Sequence, residues 1–472
     1  MFFKKNKKEA MSFGTEKRIE EKDAEETVND STLVRLGKKT LFEATQFVQE
    51  LVSDIQTDIE IDGEDIHKIL YLAKAGQPGY DLKARKVVES LLNKYGISVD
   101  GISTEKAAKE IYKYLWGLDR IEDLYRMEGI DEIRINSPKK VYYQEKGRNK
   151  TSTITFKDEE HIRKIISRLI EHDRTSLDEG NPGCESRRYD GTRITALGPP
   201  LTKGPCLALR RHGTFMTTDE NYISSGTMDE YTLKLLSLLV KGRANILICG
   251  DANTGKTTLL RWLAKFINPA LRIVTIETDR ELELDEWYPE RDIISLEVHS
   301  ELGWDMGRCF YVTLRLSPDL IIVGEARGLG ESGQLIKACQ RGHNGSMGTI
   351  HCDSARKAVS ILAQMALEEG SRLPVKILEQ QIAQSFNVII QLYGNSDTGI
   401  RKIEHIAEVW DGENGPEYSD LIMWEPSDEK YEIGRWVYPQ GLSKNLKRKL
   451  FKYGVSKKEL DGLEMLRRQL TN

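Results

Sequence analysis

A chain of 472 residues is too long for one ordinary domain, so two or three are expected. An apolar share of 39% and a charged share of 30% suit cored globular domains, and no apolar run reaches the ~20 residues that span a bilayer. The net charge of −5 excludes a global basic field for nucleic acid. Six scattered cysteines with no C-x-x-C pair exclude a paired-thiol zinc site and point to reduced thiols in the cytosol.

Taken in chain order, residues 1–30 read as a disordered charged tail. Met1-Phe2-Phe3 passes at once into Lys4-Lys5-Asn6-Lys7-Lys8, which is no signal peptide. These lysines suit an anionic membrane surface or plain solvent, and the acids of Glu20-Glu21-Lys22-Asp23-Ala24-Glu25-Glu26 oppose the membrane. Residues 31–115 form a helical region, with amphipathic patterns such as Leu41-Phe42…Phe47-Val48 and Val87-Val88…Leu91-Leu92. An α+β domain is expected over 116–222, with strands at 130–136, 141–144 and 207–211, a helix at 159–171 and a hairpin at 189–195. Ile223–Thr227 reads as a linker, with Thr227 capping a helix at 228–241. From 227 to 425, apolar runs at 245–249, 272–276, 293–296, 319–323, 346–350 and 386–392 alternate with helices, which predicts an α/β domain with a parallel sheet. Residues 426–472 read as a basic helical tail, with Lys447-Arg448-Lys449 on a solvated face. Internal repeats are absent.

Gly250-Asp251-Ala252-Asn253-Thr254-Gly255-Lys256-Thr257-Thr258 joins an apolar strand to a helical pattern, the context that the phosphate-binding pattern G-x-x-x-x-G-K-[ST] requires. Its glycines let backbone N–H groups wrap phosphates at a helix N-terminus. Lys256 would reach the β- and γ-phosphates, and Thr257 would ligate Mg²⁺. These residues predict binding of ATP or GTP.

Three later segments supply what hydrolysis needs. The run Pro318–Val323 is a buried strand ending in Gly324-Glu325, so Glu325 stands where an acid holds Mg²⁺, directly or through water, or orients the attacking water. The run Ile273–Ile276 ends in Glu277, placed to polarise water. Asp279 and Glu281 beyond it suit either the site or an exposed acidic loop. Gly342-His343-Asn344-Gly345-Ser346-Met347-Gly348-Thr349-Ile350-His351 offers close backbone approach, with His343 and His351 able to donate to phosphate.

Together these four segments resemble the Walker A, Asp box, Walker B and His box of the secretion ATPase superfamily, the motors of type II and type IV secretion, conjugation and type IV pili. Leu314-Arg315-Leu316-Ser317-Pro318-Asp319, Ala326-Arg327-Gly328 and the 342–351 segment look most like its Tad/Flp pilus-assembly branch, the CpaF-like ATPases. The likeness spans about 116–425. It implies a RecA-like P-loop ATPase domain behind an α+β domain, with ATP and Mg²⁺ as cofactors. It also implies that arginines of the α+β domain, with Arg187, Arg193, Arg210 and Arg211 as candidates, meet the phosphate charge from the same or a neighbouring subunit. A hexamer is expected, in the cytoplasm against the inner face of the membrane, working on an inner-membrane platform protein without direct contact to nucleic acid. Two features depart from the pattern. Thr278 follows Glu277 where the family has Asp, and Asp251 adds a negative charge to the loop. A DNA-translocating motor and a nucleotide-gated scaffold are the rival readings.

Overall fold

The computed structural model describes residues 37–54, 60–211, 217–327 and 330–471, so the charged segment 1–30 lies outside the described residues. The chain forms two compact units, one of residues up to 69 with 82–115, the other of 70–81 with 116–472.

The smaller unit begins with β1 (Gly37–Lys39), which leads into α1 (Leu41–Asp54). A reciprocal cap starts that helix: Glu43 N donates to Thr40 Oγ1 while Thr40 N donates to the Glu43 carboxylate. Ala44, Phe47 and Val48 then bury one face at helical spacing. Two short strands follow, β2 (Glu60–Ile61) and β3 (Glu64–Asp65), then α2 (Ile66–Ala75) and α3 (Tyr80–Lys94), whose residues 70–81 count with the larger unit, and β4 (Ile97–Val99) and α4 (Thr104–Leu115). The strands β1 and β4 pair in parallel, and α1 packs on α4.

In the larger unit α5 (Glu122–Arg126) precedes a six-stranded sheet of β5 (Ile130–Ser137), β6 (Lys140–Glu145), β7 (Arg148–Thr151), β8 (Gly183–Arg187), β9 (Arg193–Leu197) and β10 (Cys206–Arg210). Its order is β7-β6-β5-β10-β9-β8, antiparallel throughout. The helix α6 (Glu159–Ile170), capped by Asp158, lays Ile162, Ile165, Ile166 and Leu169 on the apolar face of this sheet. The hairpin expected at 189–195 is β8 and β9, with its turn at 188–192.

A short helix, α7 (Asp219–Ser224), takes in Ile223 and Ser224 at the start of the segment read as a linker, and its Tyr222 packs edge-on against Trp262 at 5.0 Å. The next helix, α8 (Glu230–Lys241), is capped by Asp229, whose side chain accepts from Thr232 N, and not by Thr227. Thr227 instead gives its carbonyl to Ile403 N.

Nine strands form the second sheet: β11 (Ile246–Gly250), β12 (Ile273–Glu277), β13 (Ile293–Glu297), β14 (Leu320–Ala326), β15 (Met347–His351), β16 (Val388–Gly394), β17 (Arg401–Gly412), β18 (Gly415–Pro426) and β19 (Gly434–Val437). Between them lie α9 (Lys256–Ala264), α10 (Leu284–Trp287), α11 (Met306–Thr313), α12 (Glu331–Gln340), α13 (Ala358–Glu368) and α14 (Val375–Ser385). The order is β13-β12-β14-β15-β11-β16-β17-β18-β19. The first six are parallel, and β15 stands between β11 and β14, which is the RecA-like arrangement. The three antiparallel strands β17–β19 extend the sheet beyond the parallel set that periodicity predicted.

The last two helices, α15 (Lys444–Lys452) and α16 (Lys457–Thr471), are not a solvated tail. Leu446, Leu450, Leu460 and Leu463 join the apolar core that includes α8 and β11. Leu450 packs so closely over Gly242 that a Cβ there would fall 2.4 Å from its Cδ2. Lys449, read as solvated, is pushed down to about 8 by burial and donates to Asn387 Oδ1 at 2.6 Å.

Candidate active site

Parallel sheets place ligands at the carboxyl ends of their strands, where the strand order switches direction. Four of the residues singled out from sequence fall there: Gly250 ends β11, Glu277 ends β12, Glu325 is the last residue but one of β14, and His351 ends β15. Gly250 has no room for a side chain, since a Cβ would lie 2.7 Å from Thr254 Oγ1 and 2.8 Å from the Leu392 carbonyl. Asn253 and Gly255 take left-handed backbone at φ 63° and 96°, which turns the loop into the start of α9. Ala252 and Thr258 complete the loop and the first turn. Lys256, the first residue of α9, folds back over its own loop. Its Nζ donates to the Gly250 and Asp251 carbonyls at 3.0 and 2.9 Å and to His351 Nδ1 at 3.3 Å. Burial lowers its pKa below the ordinary lysine value.

Because His351 Nδ1 accepts from Lys256, its hydrogen belongs on Nε2, which points at Glu325 Oε1 at 2.9 Å. The other Glu325 oxygen accepts from Arg327 Nε at 2.5 Å. Burial would raise the Glu325 pKa, but His351 and the Arg327 guanidinium outweigh it and hold the carboxyl at about 2.

Glu277 is the opposite case. It is buried, and burial pushes its pKa up to about 7 against the backbone N–H groups that favour its charge. One oxygen accepts from Glu281 N and Leu282 N at 3.0 and 2.9 Å, while the other is buried with no hydrogen-bond partner. Gly324 explains how it fits: a Cβ there would fall 2.7 Å from Glu277 Cγ and Oε1. The bare position before Glu325 is therefore filled by Glu277.

The six-stranded sheet contributes two arginines here. Arg193 of β9 bonds to Asp279 at 2.8 Å and Glu281 at 3.0 Å, and Arg210 of β10 donates to Asn253 Oδ1 in the glycine loop at 3.2 Å. Arg187 lies across the hairpin from Arg193 and donates to the Arg280 carbonyl. Arg211 points elsewhere, to the Tyr125 and Met127 carbonyls. His343 is also remote. It bonds to the Pro318 carbonyl before β14, at the end of the strands opposite the loop.

A profile of the family described as "Type II/IV secretion system protein" matches residues 117–411, well over half the chain. This chain belongs to that family. The conjugal transfer protein TrbB of Rhizobium radiobacter is 30% identical over 220 residues, 46% of this chain and 65% of TrbB, so the chain spans just under two thirds of that relative. A putative conjugal transfer protein of Mycobacterium tuberculosis is 26% identical over 301 residues, 62% of this chain and 84% of the relative. Among solved structures, the VirB11 ATPase of the Brucella suis type IV secretion system is 22% identical, with a TM-score of 0.33, covering 61% of this chain and 96% of that one.

Two side chains of the site, Arg327 and Arg401, escaped the sequence reading, and a third, Glu281, had been left open. Arg327 binds Glu325 and, at 2.9 Å, Asp279. Glu281, left between site and loop, accepts from Thr257 Oγ1 at 3.4 Å and faces both Arg193 and Arg327. Arg401 of β17 donates to the Asn253 carbonyl at 3.2 Å. Arg327 lay inside a recognised motif segment without an assigned role, and nothing local marks Arg401. The cavity lined by Thr257, Glu277, Asp279, Glu281, Glu325 and Arg327 measures only about 10 Å³, roughly one water. No group of three or more His, Cys, Asp or Glu among the described residues is arranged to hold a metal by itself. The hard oxygens of Thr257, Glu281 and Glu325 fit Mg²⁺ that draws the rest of its shell from phosphate and water.

Proposed function

We propose that this family member is an ATP-hydrolysing motor of a secretion, pilus-assembly or conjugation machine, working as a homo-oligomer, a hexamer by family likeness, against an inner-membrane platform protein. The observation that carries this reading is the meeting of Lys256, Glu325 and His351 with arginines of a separate sheet at one strand edge. Lys256 leaves its loop carbonyls for the stronger acceptors of the β- and γ-phosphates. Thr257, with Glu325 directly or through water, would hold Mg²⁺, whose charge would offset that of the phosphates. Arg327 and Arg193 now neutralise carboxylates and must turn toward the γ-phosphate for the cavity to admit it. That exchange frees Glu325 to orient the attacking water, while Glu277 fixes the loop that carries Glu281 and retains an oxygen for the same water. Loss of the γ-phosphate returns the arginines to the acids, which changes the hold between the two sheets.

Among the described residues no helix is long and apolar enough to cross a membrane, so attachment to the membrane would run through a partner. The 314–328 and 342–351 segments favour pilus assembly, whereas the curated relatives named for conjugal transfer favour the second reading, a conjugation ATPase. The deciding assay is ATP turnover and ATP affinity of Glu325→Gln and Lys256→Ala. Glu325→Gln is expected to bind ATP and lose at least ~100-fold in turnover, and Lys256→Ala to lose turnover altogether. Wild-type rates in either variant would remove the assigned site.

A further inference from the structure

The strand β16 flanks β11 on the side away from β12 and β14, so the turn after it meets the glycine loop opposite the acids. Contact is close there, since a Cβ on Gly394 would fall 3.0 Å from Thr254 Cα. Arg401 begins β17 directly across from Gly394 and reaches back over that contact. Its Nε donates to the Asn253 carbonyl at 3.2 Å, and its Cδ lies 3.5 Å from where a Cβ on Gly255 would stand. Arg210 bonds to the side chain of the same asparagine at 3.2 Å, so Asn253 is gripped at both its carbonyl and its amide. It needs the grip, because φ of 63° is a conformation that costs any residue with a Cβ. Among the described residues Arg401 forms no ion pair, whereas Arg193 and Arg327 are bound to acids. A triphosphate can therefore enter without first breaking the Arg401 contact.

The turn that carries Arg401 is clasped from its far side by the tip of the β6–β7 hairpin. Asn149 N donates to the Ser396 carbonyl at 3.2 Å, and Arg148 Nε donates to the Thr398 carbonyl. Two glycines allow the approach. A Cβ on Gly399 would fall 2.7 Å from Arg148 Cγ, and one on Gly147 would fall 2.7 Å from Arg401 Nη2.

We propose that Arg401 is a positioning residue that holds the glycine loop ready for phosphate through Asn253, and that the turn before it ties this hold to the β6–β7 hairpin. The inference rests on the ATP-site reading and names a residue that reading leaves without a role. A grip that is the same with or without a γ-phosphate acts on binding and not on the chemical step. Arg401→Gln should thus raise KM for ATP and weaken ADP in calorimetry by the same factor, ~tenfold, with kcat within about twofold of wild type. Arg401→Lys should restore part of the loss, and thermal melting checks that each variant is folded. Arg148→Ala, at the hairpin tip, should weaken ADP in the wild-type chain and add less than about twofold in Arg401→Gln. The ADP titration reads the hold even in a chain that does not turn over, so failure of the ATPase reading shows separately, as absent turnover in wild type. Unchanged ADP affinity in folded Arg401→Gln, or a loss confined to ATP, would overturn the hold. Full additivity with Arg148→Ala would overturn its link to the hairpin.

Discussion

Glu277 and Glu325 are close neighbours whose environments drive them apart, one up to about 7 and the other down to about 2. For Glu277 the ordinary value is 4.5, so between 4.5 and about 7 the unfolded carboxyl is ionised while the folded one keeps its proton. Stability therefore falls as pH rises through that window, at about 1.4 kcal/mol per unit, for a total of ~3 kcal/mol. Glu277→Gln keeps an acceptor for the Glu281 and Leu282 amides without the charge. Urea denaturation at pH 8 should find it ~2–3 kcal/mol more stable than wild type, with the gap closing near pH 4. Equal stability at pH 8 would show that the buried charge is relieved in another way. Glu325 works in the reverse sense: its contribution is present above 4.5 and lost as pH falls toward 2. Gly324 is the companion to Glu277. Placing a methyl 2.7 Å from its carboxyl should cost Gly324→Ala ~1–3 kcal/mol, and Glu277→Ala in the same chain should recover part of that. A Gly324→Ala protein as stable as wild type would contradict the crowding.

Among the elements, what the sequence made legible follows from how local each signal is. The loop at 250–258 and the six parallel strands could be read because a glycine pattern and an apolar run declare themselves within ten residues. The strand β17 was missed because Glu404, His405 and Glu408 interrupt its apolar positions, and His405 finds its partner, Asp420, only on the next strand, β18. The two histidines flanking β15 looked alike in sequence, yet a strand has two ends and only His351 stands at the phosphate edge. Asp279 and Glu281 could not be assigned because their arginine Arg193 comes from another sheet. The C-terminal helices misled for a related reason: the lysines of α15 dominate its composition, while Leu446 and Leu450 decide where it sits. Leu450→Ala should therefore cost about 2–4 kcal/mol in equilibrium unfolding, a core effect that a solvated tail would not produce. A loss under about half a kcal/mol would return these helices to the surface.

At the scale of the molecule, Arg210 ties the six-stranded sheet to the glycine loop and Arg193 ties it to the acids after β12, through contacts that a triphosphate would rearrange. If the working form is a ring, turnover per chain should rise with protein concentration and level off where sedimentation shows the oligomer complete. Full turnover from an isolated monomer would sink the ring as the working unit. The way α16 is fastened to α8 also bears on how this protein comes to exist. Lys241 and Glu459 are joined at 2.7 Å although 218 residues separate them. The leucines that seal the bed of the phosphate strand thus leave the ribosome long after the strand itself. Until they emerge, that greasy surface stays bare, and a nascent chain stalled short of them is a natural client for chaperones.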